Sequence, residues 1–259
     1  MKVSFVIPTR NQARFIARCL DSCLEQDVRD AEVIVVDGAS TDDTVAVLGE
    51  YGDRVRWSSQ PDTGQAQAVN RGVTAAAGDV IAWLNSDDFY PSPRVLPAVL
   101  EAFRDPAIDV VYGRGRMVDA DEQTLRATRS RALRSAADLL VRPSGLPQPA
   151  VFFRRQLFLE VGGLREDLHY ALDYDLWLRM FPRARATRFL DEELACARYH
   201  ADAKSIAGLW RQVRELATVK RAHRRQFTLS WAQRVRLELG TASLYAYWAA
   251  VRTGLRRAT

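Results

Sequence analysis

Two pairs of aspartates carry the strongest chemical suggestion in the chain: Asp87 and Asp88 in WLNSDDFY, and Asp173 and Asp175 in LDYDLWLR. The first pair follows Ile81, Trp83 and Leu84, an apolar run that reads as a buried strand. Adjacent side chains on a strand point to opposite sides, so a pair closing a central strand is not a simple surface patch. Carboxylates in that place suit Mg²⁺ or Mn²⁺, which takes one or two protein carboxylates together with diphosphate oxygens. A solvated Ser-Asp-Asp loop has the same sequence appearance. The second pair opens a helical segment, where a carboxylate can relieve an attacking hydroxyl of its proton or can merely cap the helix and complement its dipole.

Those residues need a scaffold that brings distant loops together, and the first third of the chain supplies one. Residues 3–7, VSFVI, form a short apolar strand ended by Pro8, followed by the polar loop Thr9–Gln12 and by Phe15, Ile16, Cys19, Leu20, Cys23 and Leu24 at helical spacing. The unit recurs: strands are expected at Val33–Val36, Val55–Trp57 and Val80–Leu84, with helices after Ser40 or Thr41 and over Gln65–Ala77. Such a βα run predicts a mostly parallel sheet covered by helices, with ligands bound beyond the carboxyl ends of its strands. The loops at that edge carry Pro8, Thr9, Arg10 and Asn11 after strand one and Asp37 after strand two. Asp37 can accept from a base or ribose there, or can be a plain turn residue.

Further on, a helix is expected near Pro93–Phe103, a strand at Val110–Tyr112, acceptor-facing loops over Arg114–Arg134, a strand at Ala150–Phe153, a helix ending at Gly162–Gly163, a helix through Tyr174–Met180, and short strands near Phe189 and Ala197. From Ile206 the tail reads as two helices joined near Thr228–Ser230. The division expected is a catalytic domain over residues 1–205 and a basic helical tail over 206–259.

Composition fits that division. With 259 residues and 47% apolar residues, one catalytic domain with an appendage is the natural reading. The net charge of +5 belongs to the tail: residues 204–259 hold 12 Lys or Arg against Glu215 and Glu238, leaving a net of −5 on the rest. The body is therefore not a polyanion-binding surface, and nucleic acid is not expected as a partner. Three cysteines, two of them spaced as buried helical hydrophobes, point to a reducing cytoplasm. The N-terminal apolar run is far too short for a signal segment, and no stretch reaches the roughly 18 apolar residues of a spanning helix. The stretch Leu237–Val251, with Tyr245, Tyr247 and Trp248 bracketed by Arg234, Arg236, Arg252, Arg256 and Arg257, suits the inner face of a membrane, or packing on the body or on a second subunit as a homodimer.

The ordered segments IPTRN, VVDGASTDDT, QPDTGQAQAVNRG, GDVIAWLNSDD, PQPAVFFRR and DYDLWLR resemble the family 2 glycosyltransferases of GT-A fold, over roughly residues 3–205. The resemblance implies a GT-A-type α/β nucleotide-sugar-binding fold and an inverting transfer from a nucleotide diphosphate sugar, with UDP the commonest donor, to a glycan or lipid-linked acceptor. It implies that Pro8, Thr9 and Asp37 hold the nucleobase, that Arg71 lies near the diphosphate, and that Arg10, Gly64 and Asn85 belong to the same donor subsite. Asn85 stands where many relatives have an aspartate. Asp87 then contacts the ribose and bridges toward Mn²⁺ or Mg²⁺, Asp88 binds the metal, and His200 in YHADAKS joins them. Without the resemblance, a lone His is usually structural or solvated. Asp173 becomes the general base, with Asp175 in reserve. A dinucleotide-binding oxidoreductase lacks support, because IPTRNQ has no glycine, and a P-loop kinase lacks its G-K-[ST]. The competing reading is an inactive nucleotide-sugar-binding protein acting through its basic tail.

Overall fold

The computed structural model describes residues 1–128, 130–141, 146–200, 209–229 and, beyond them, 231, 233–235 and 237. Its first part is four parallel strands, β1 (Val3–Thr9), β2 (Ala31–Asp37), β3 (Arg56–Ser59) and β4 (Val80–Trp83). They alternate with α1 (Ile16–Leu24), α2 (Thr44–Glu50) and α3 (Gln65–Ala75). The spatial order β3-β2-β1-β4 brings the C-terminal ends of β1, β2 and β4 to one edge, with Thr9 paired to Asp37 in the register.

Side chains on these strands alternate between two cores, as the period of two requires. Val6, Ile34, Val36, Ile81 and Trp83 face the layer that holds α3. Val3, Phe5, Ile7, Val33, Val35, Val80 and Ala82 face the layer that holds α1. Burial on both faces explains why β1, β2 and β4 read as continuous apolar runs, whereas the edge strand β3 is exposed. On α3, Gly72 permits close helix-to-strand packing: a Cβ there would stand 2.4 Å from Val6 Cγ1.

The second half departs from the parallel pattern. After α4 (Val95–Phe103), β5 (Ile108–Val118) is eleven residues long and lies antiparallel to β7 (Val151–Arg154), which is itself antiparallel to β4. Beyond Tyr112, β5 runs on through Val118 and pairs with β6 (Thr124–Ala127), so much of the stretch expected as loops is a hairpin. The two short strands expected near Phe189 and Ala197 form one strand of thirteen residues, β8 (Ala186–Arg198), parallel to β5 across three register irregularities. The helices α5 (Ala137–Val141), α6 (Arg155–Glu160) and α7 (Leu172–Met180) complete the body, and Gly162 and Gly163 take positive φ where α6 ends.

The tail begins with α8 (Leu209–His223), which packs on α7. The expected second helix is described only at scattered positions up to Leu237, and the stretch expected at a membrane surface lies outside the described residues from position 238 on. Among the described residues no helix is long and apolar enough to cross a membrane.

Candidate functional site

A cleft of about 580 Å³ opens at the C-terminal edge of β1 and β4. Its walls come from the loops after those strands, from the start of α3, from Pro147–Pro149, from the start of α7, and from the end of β8. Of the residues expected at the donor, Pro8, Thr9, Arg10, Gly64, Asn85 and Asp87 line it, and so do Asp88 and Asp173. Thr9 Oγ1 and Trp83 Nε1 are buried there without a protein partner among the described residues, so two polar groups remain for a ligand.

Asp37 and Arg71 are not brought to the cleft lining. Asp37 is fully buried beneath its own loop, where it accepts from Ser40 N (2.9 Å), Ser59 Oγ (2.6 Å) and Ser40 Oγ. It builds the turn, and its expected place against a nucleobase is not on the cleft lining. Arg71 donates to the Pro61 carbonyl at 3.4 Å and braces the loop before α3. The carboxylate that reaches the cleft at this end is Asp62, to which the sequence reading assigned no role. Asp62 accepts from Gly64 N at 2.9 Å and lies against Gly38, where a Cβ would stand 2.7 Å from Asp62 Oδ2. Its signal was the QPDTG segment, but only the fold brings residue 62 to residue 38.

The loop after β4 is fixed by side-chain amides. Gln65 Nε2 donates to Asn85 Oδ1 (2.7 Å), Asn85 Nδ2 to Gln148 Oε1 (2.9 Å), and Gln148 Nε2 to the Trp83 carbonyl (2.8 Å). This chain links three walls of the cleft, and Gln148 within PQPAVFF is a second residue the sequence reading left without a role. Arg198, at the end of β8, is a third. Its guanidinium stacks against Phe15 and Phe89 and donates to the carbonyls of Asp87 (3.0 Å) and Ala120 (2.8 Å) and to Glu122 (2.9 Å).

The two adjacent aspartates separate in role. Asp88 is buried; its Oδ1 accepts from Arg198 N at 2.9 Å and its Oδ2 from Asn85 Nδ2 at 3.3 Å. Burial, and then the charge of Asp87, push its carboxyl well above the usual carboxylate range. Expected as the metal ligand, Asp88 is instead tied into the protein. Asp87 keeps a partly open carboxylate whose Oδ2 stands 3.1 Å from His200 Nε2. The His200 ring packs on Phe15, and its Nδ1 has no partner among the described residues. No group of three or more metal-capable side chains is present among the described residues. Asp87 and His200 therefore fit a divalent ion whose remaining ligands come from the diphosphate and water.

Asp173 sits in the first turn of α7 on the cleft wall, where its Oδ1 accepts from Tyr174 N at 2.7 Å. Asp175, two residues on, faces the interior with 0% exposure. It accepts from Arg179 Nε and His223 Nε2, each at 2.8 Å, and is sealed from the cleft. That geometry removes it as the reserve base. Gln212 of α8 also lines the cleft, so the site reaches into the tail.

Comparison with known proteins accords with this arrangement. The family model described as Glycosyl transferase family 2 matches residues 4–161. An uncharacterised protein of Mycobacterium tuberculosis is 31% identical over 253 residues, 88% of this chain and 75% of its own length. An uncharacterised glycosyltransferase of Rickettsia conorii is 28% identical over 77% of this chain and 34% of its own length. The chondroitin synthase of Pasteurella multocida is 34% identical over 69% of this chain, which spans only 18% of that protein. Among solved structures, a mannosyltransferase from Pyrobaculum calidifontis in complex with GDP-Man and Mn²⁺ superposes with a TM-score of 0.67 at 20% identity, covering 99% of this chain and 80% of that one. Residues 1–349 of TarS from S. aureus in complex with UDP-GlcNAc give 0.66 at 19% identity, over 85% and 66%. These structures share the GT-A fold, and the match over most of the strands and loops that build the cleft assigns the chain to glycosyltransferase family 2.

Proposed function

We propose that this glycosyltransferase moves a sugar from a nucleoside diphosphate donor to an acceptor hydroxyl by a single inverting displacement, assisted by Mn²⁺ or Mg²⁺. The observation that carries the reading is the opposition of two chemistries in one cleft. The Asp87 carboxylate lines one wall, with the buried His200 imidazole 3.1 Å from it though not itself on the cleft lining, and Asp173 stands at the start of α7 on another wall. Asp87 and His200 would hold the ion, which when bound neutralises charge on the departing diphosphate. The acceptor oxygen bonds to the anomeric carbon as the bond to the diphosphate breaks. Asp173 takes the hydroxyl proton, and the attack from the face opposite the leaving group inverts the anomeric centre. The Gln65–Asn85–Gln148 chain holds the floor of the cleft rigid while this occurs.

The donor is proposed to be a UDP sugar, a reading supported by the UDP-GlcNAc complex of TarS; the GDP-Man complex of the mannosyltransferase makes a guanine donor the alternative to test. A glycan or lipid-linked acceptor in cell-surface polysaccharide synthesis is supported by the relative named chondroitin synthase. With such an acceptor, the protein is proposed to work at the cytoplasmic face of the membrane.

The test is release of nucleoside diphosphate from UDP-GlcNAc, UDP-glucose and GDP-mannose with Mn²⁺ or Mg²⁺ and a panel of glycan acceptors. Release with one donor, lost in EDTA and in Asp87→Ala, is expected. Asp173→Asn is expected to stop transfer while leaving nucleotide affinity nearly intact. Undiminished transfer in EDTA refutes the metal role, a retained anomeric configuration refutes the single displacement, and no release from any donor favours a binding protein.

A further inference from the structure

The start of α7 lacks a side chain of its own to cap it, because Ala171 occupies the capping position. The carboxylate that reaches it comes from α8, forty-four positions later. Glu215 Oε1 accepts from His169 N at 2.6 Å, and its Oε2 accepts from Ala171 N at 3.0 Å and from Tyr170 N. Three consecutive amides thus converge on one side chain. Among the described residues Glu215 has no cation within ion-pair distance; its hydrogen bonds come from backbone N–H groups, and Arg165 acts on its charge only from farther away. His169, Tyr170, Leu172 and Asp173 around this turn all line the cleft, as does Gln212 one turn earlier on α8.

We infer that Glu215 is a positioning residue for Asp173: it fixes the turn from which α7 presents the carboxylate to the acceptor. The inference rests on the reading of Asp173 as the base. Charge-assisted hydrogen bonds are roughly twice as strong as neutral ones, and three of them on one turn leave it little freedom. Glu215 is half-buried and off the cleft lining, and among the described residues its hydrogen bonds go to neither the expected donor residues nor the Asp87–His200 pair. Its loss should therefore misplace the base without disturbing donor binding. A displacement of about 1 Å at the reacting groups costs on the order of a hundredfold in rate.

The test compares Glu215→Gln and Glu215→Ala with the wild-type protein. Hydrogen exchange of the amides of residues 169–171 should quicken about tenfold or more in both variants as their acceptor weakens or disappears. With the donor that gives the fastest diphosphate release, kcat should fall about tenfold to a hundredfold. The Kd for UDP with Mn²⁺ should stay within about twofold, and Glu215→Gln, which keeps one acceptor oxygen, should be the milder variant. Adding Glu215→Gln to Asp173→Asn should lower the residual rate no further, whereas general structural damage would lower it again. Unchanged exchange at 169–171, an unchanged kcat, or a loss confined to nucleotide affinity overturns the inference. The two readings fail separately: Asp173→Asn inactive with Glu215→Gln fully active removes only the positioning role, and Asp173→Asn fully active removes the base and the positioning role with it.

Discussion

Replacing His223 by Gln should destabilise the protein in a way that depends on pH, and the sign follows from the groups around it. His223 Nε2 lies 2.8 Å from Asp175 Oδ1, and His223 Nδ1 lies 3.0 Å from Gln226 Oε1. Asp175 also receives Arg179 at 2.8 Å, with Arg165 3.7 Å away. The hydrogen bond to Asp175 raises the His223 pKa above its ordinary value, against burial and the charge of Arg179. Burial alone would raise Asp175, but His223 and Arg179 outweigh it and hold that carboxyl below its usual range. A raised His contributes stability that is fully present below about pH 6.5 and is lost as pH climbs through its folded value. A lowered Asp contributes above about pH 3.9 and loses its contribution as pH falls through its folded value. The pair is therefore fully formed between about pH 4 and 6.5 and weakens above that window. A hydrogen bond between charged partners is worth about 1.5–3 kcal/mol, and in a chain of this size each kcal/mol moves Tm by about 2–4 °C. The gap in Tm between the wild-type protein and His223→Gln should be about 3–12 °C near pH 5.5 and should narrow steadily toward pH 9. Thermal unfolding by circular dichroism at half-unit pH steps measures it. A gap that is constant with pH, or that widens as pH rises, refutes the reasoning.

Asp88→Ala should lose stability, because it strips the acceptor from Arg198 N and from Asn85 in a buried place, a cost of about 1–3 kcal/mol in thermal unfolding. Asp87→Ala should abolish the Mn²⁺ dependence of nucleotide binding and lower Tm only by what its one bond to His200 contributes, about 1–3 kcal/mol. Gly72→Ala should lower Tm despite the better helix propensity of alanine, since the new Cβ meets Val6 Cγ1 at 2.4 Å and overpacking costs about 1–3 kcal/mol. Adding Val6→Ala should recover part of the loss, and failure to do so would place the cost elsewhere.

The parallel half of the sheet was legible because β1, β2 and β4 are buried on both faces, the exposed edge strand β3 is announced by Val55 and Trp57, and each loop is short. Four apolar runs separated by helical spacing leave few alternatives. The antiparallel half was not. β5 crosses from the buried IDVVY to the polar GRGRM and stays extended because β8 pairs along it, a partner nearly eighty residues away. Local composition reads that polar stretch as loop, and only the long-range ladder holds it as strand. β8 itself begins with exposed residues at the sheet edge and becomes apolar near Leu194, which split it in the sequence into two short pieces.

Within the site, the sequence identified which loops converge but not which of two neighbouring carboxylates does which task. Asp37 and Asp62 both stand within two residues of a glycine in a loop, yet the serines at positions 40 and 59 bond to both oxygens of the buried Asp37, while Asp62 lies at the cleft. Asp87 and Asp88 are separated by the amide of Arg198, a residue 110 positions distant that takes Asp88 inward and leaves Asp87 facing His200. Asp173 and Asp175 are separated the same way, because Arg179 and His223 claim the second. In each pair the deciding partner is an ordinary hydrogen-bonding group made important only by the fold. A carboxylate whose acceptor sites are filled by the protein serves the scaffold, and one left partly unfilled at a cleft is the one available to a substrate or an ion. Where the partners lie, at the cleft for Asp87 and Asp173 and in the interior for Asp88 and Asp175, distinguishes the carboxylates more than their presence in the sequence does.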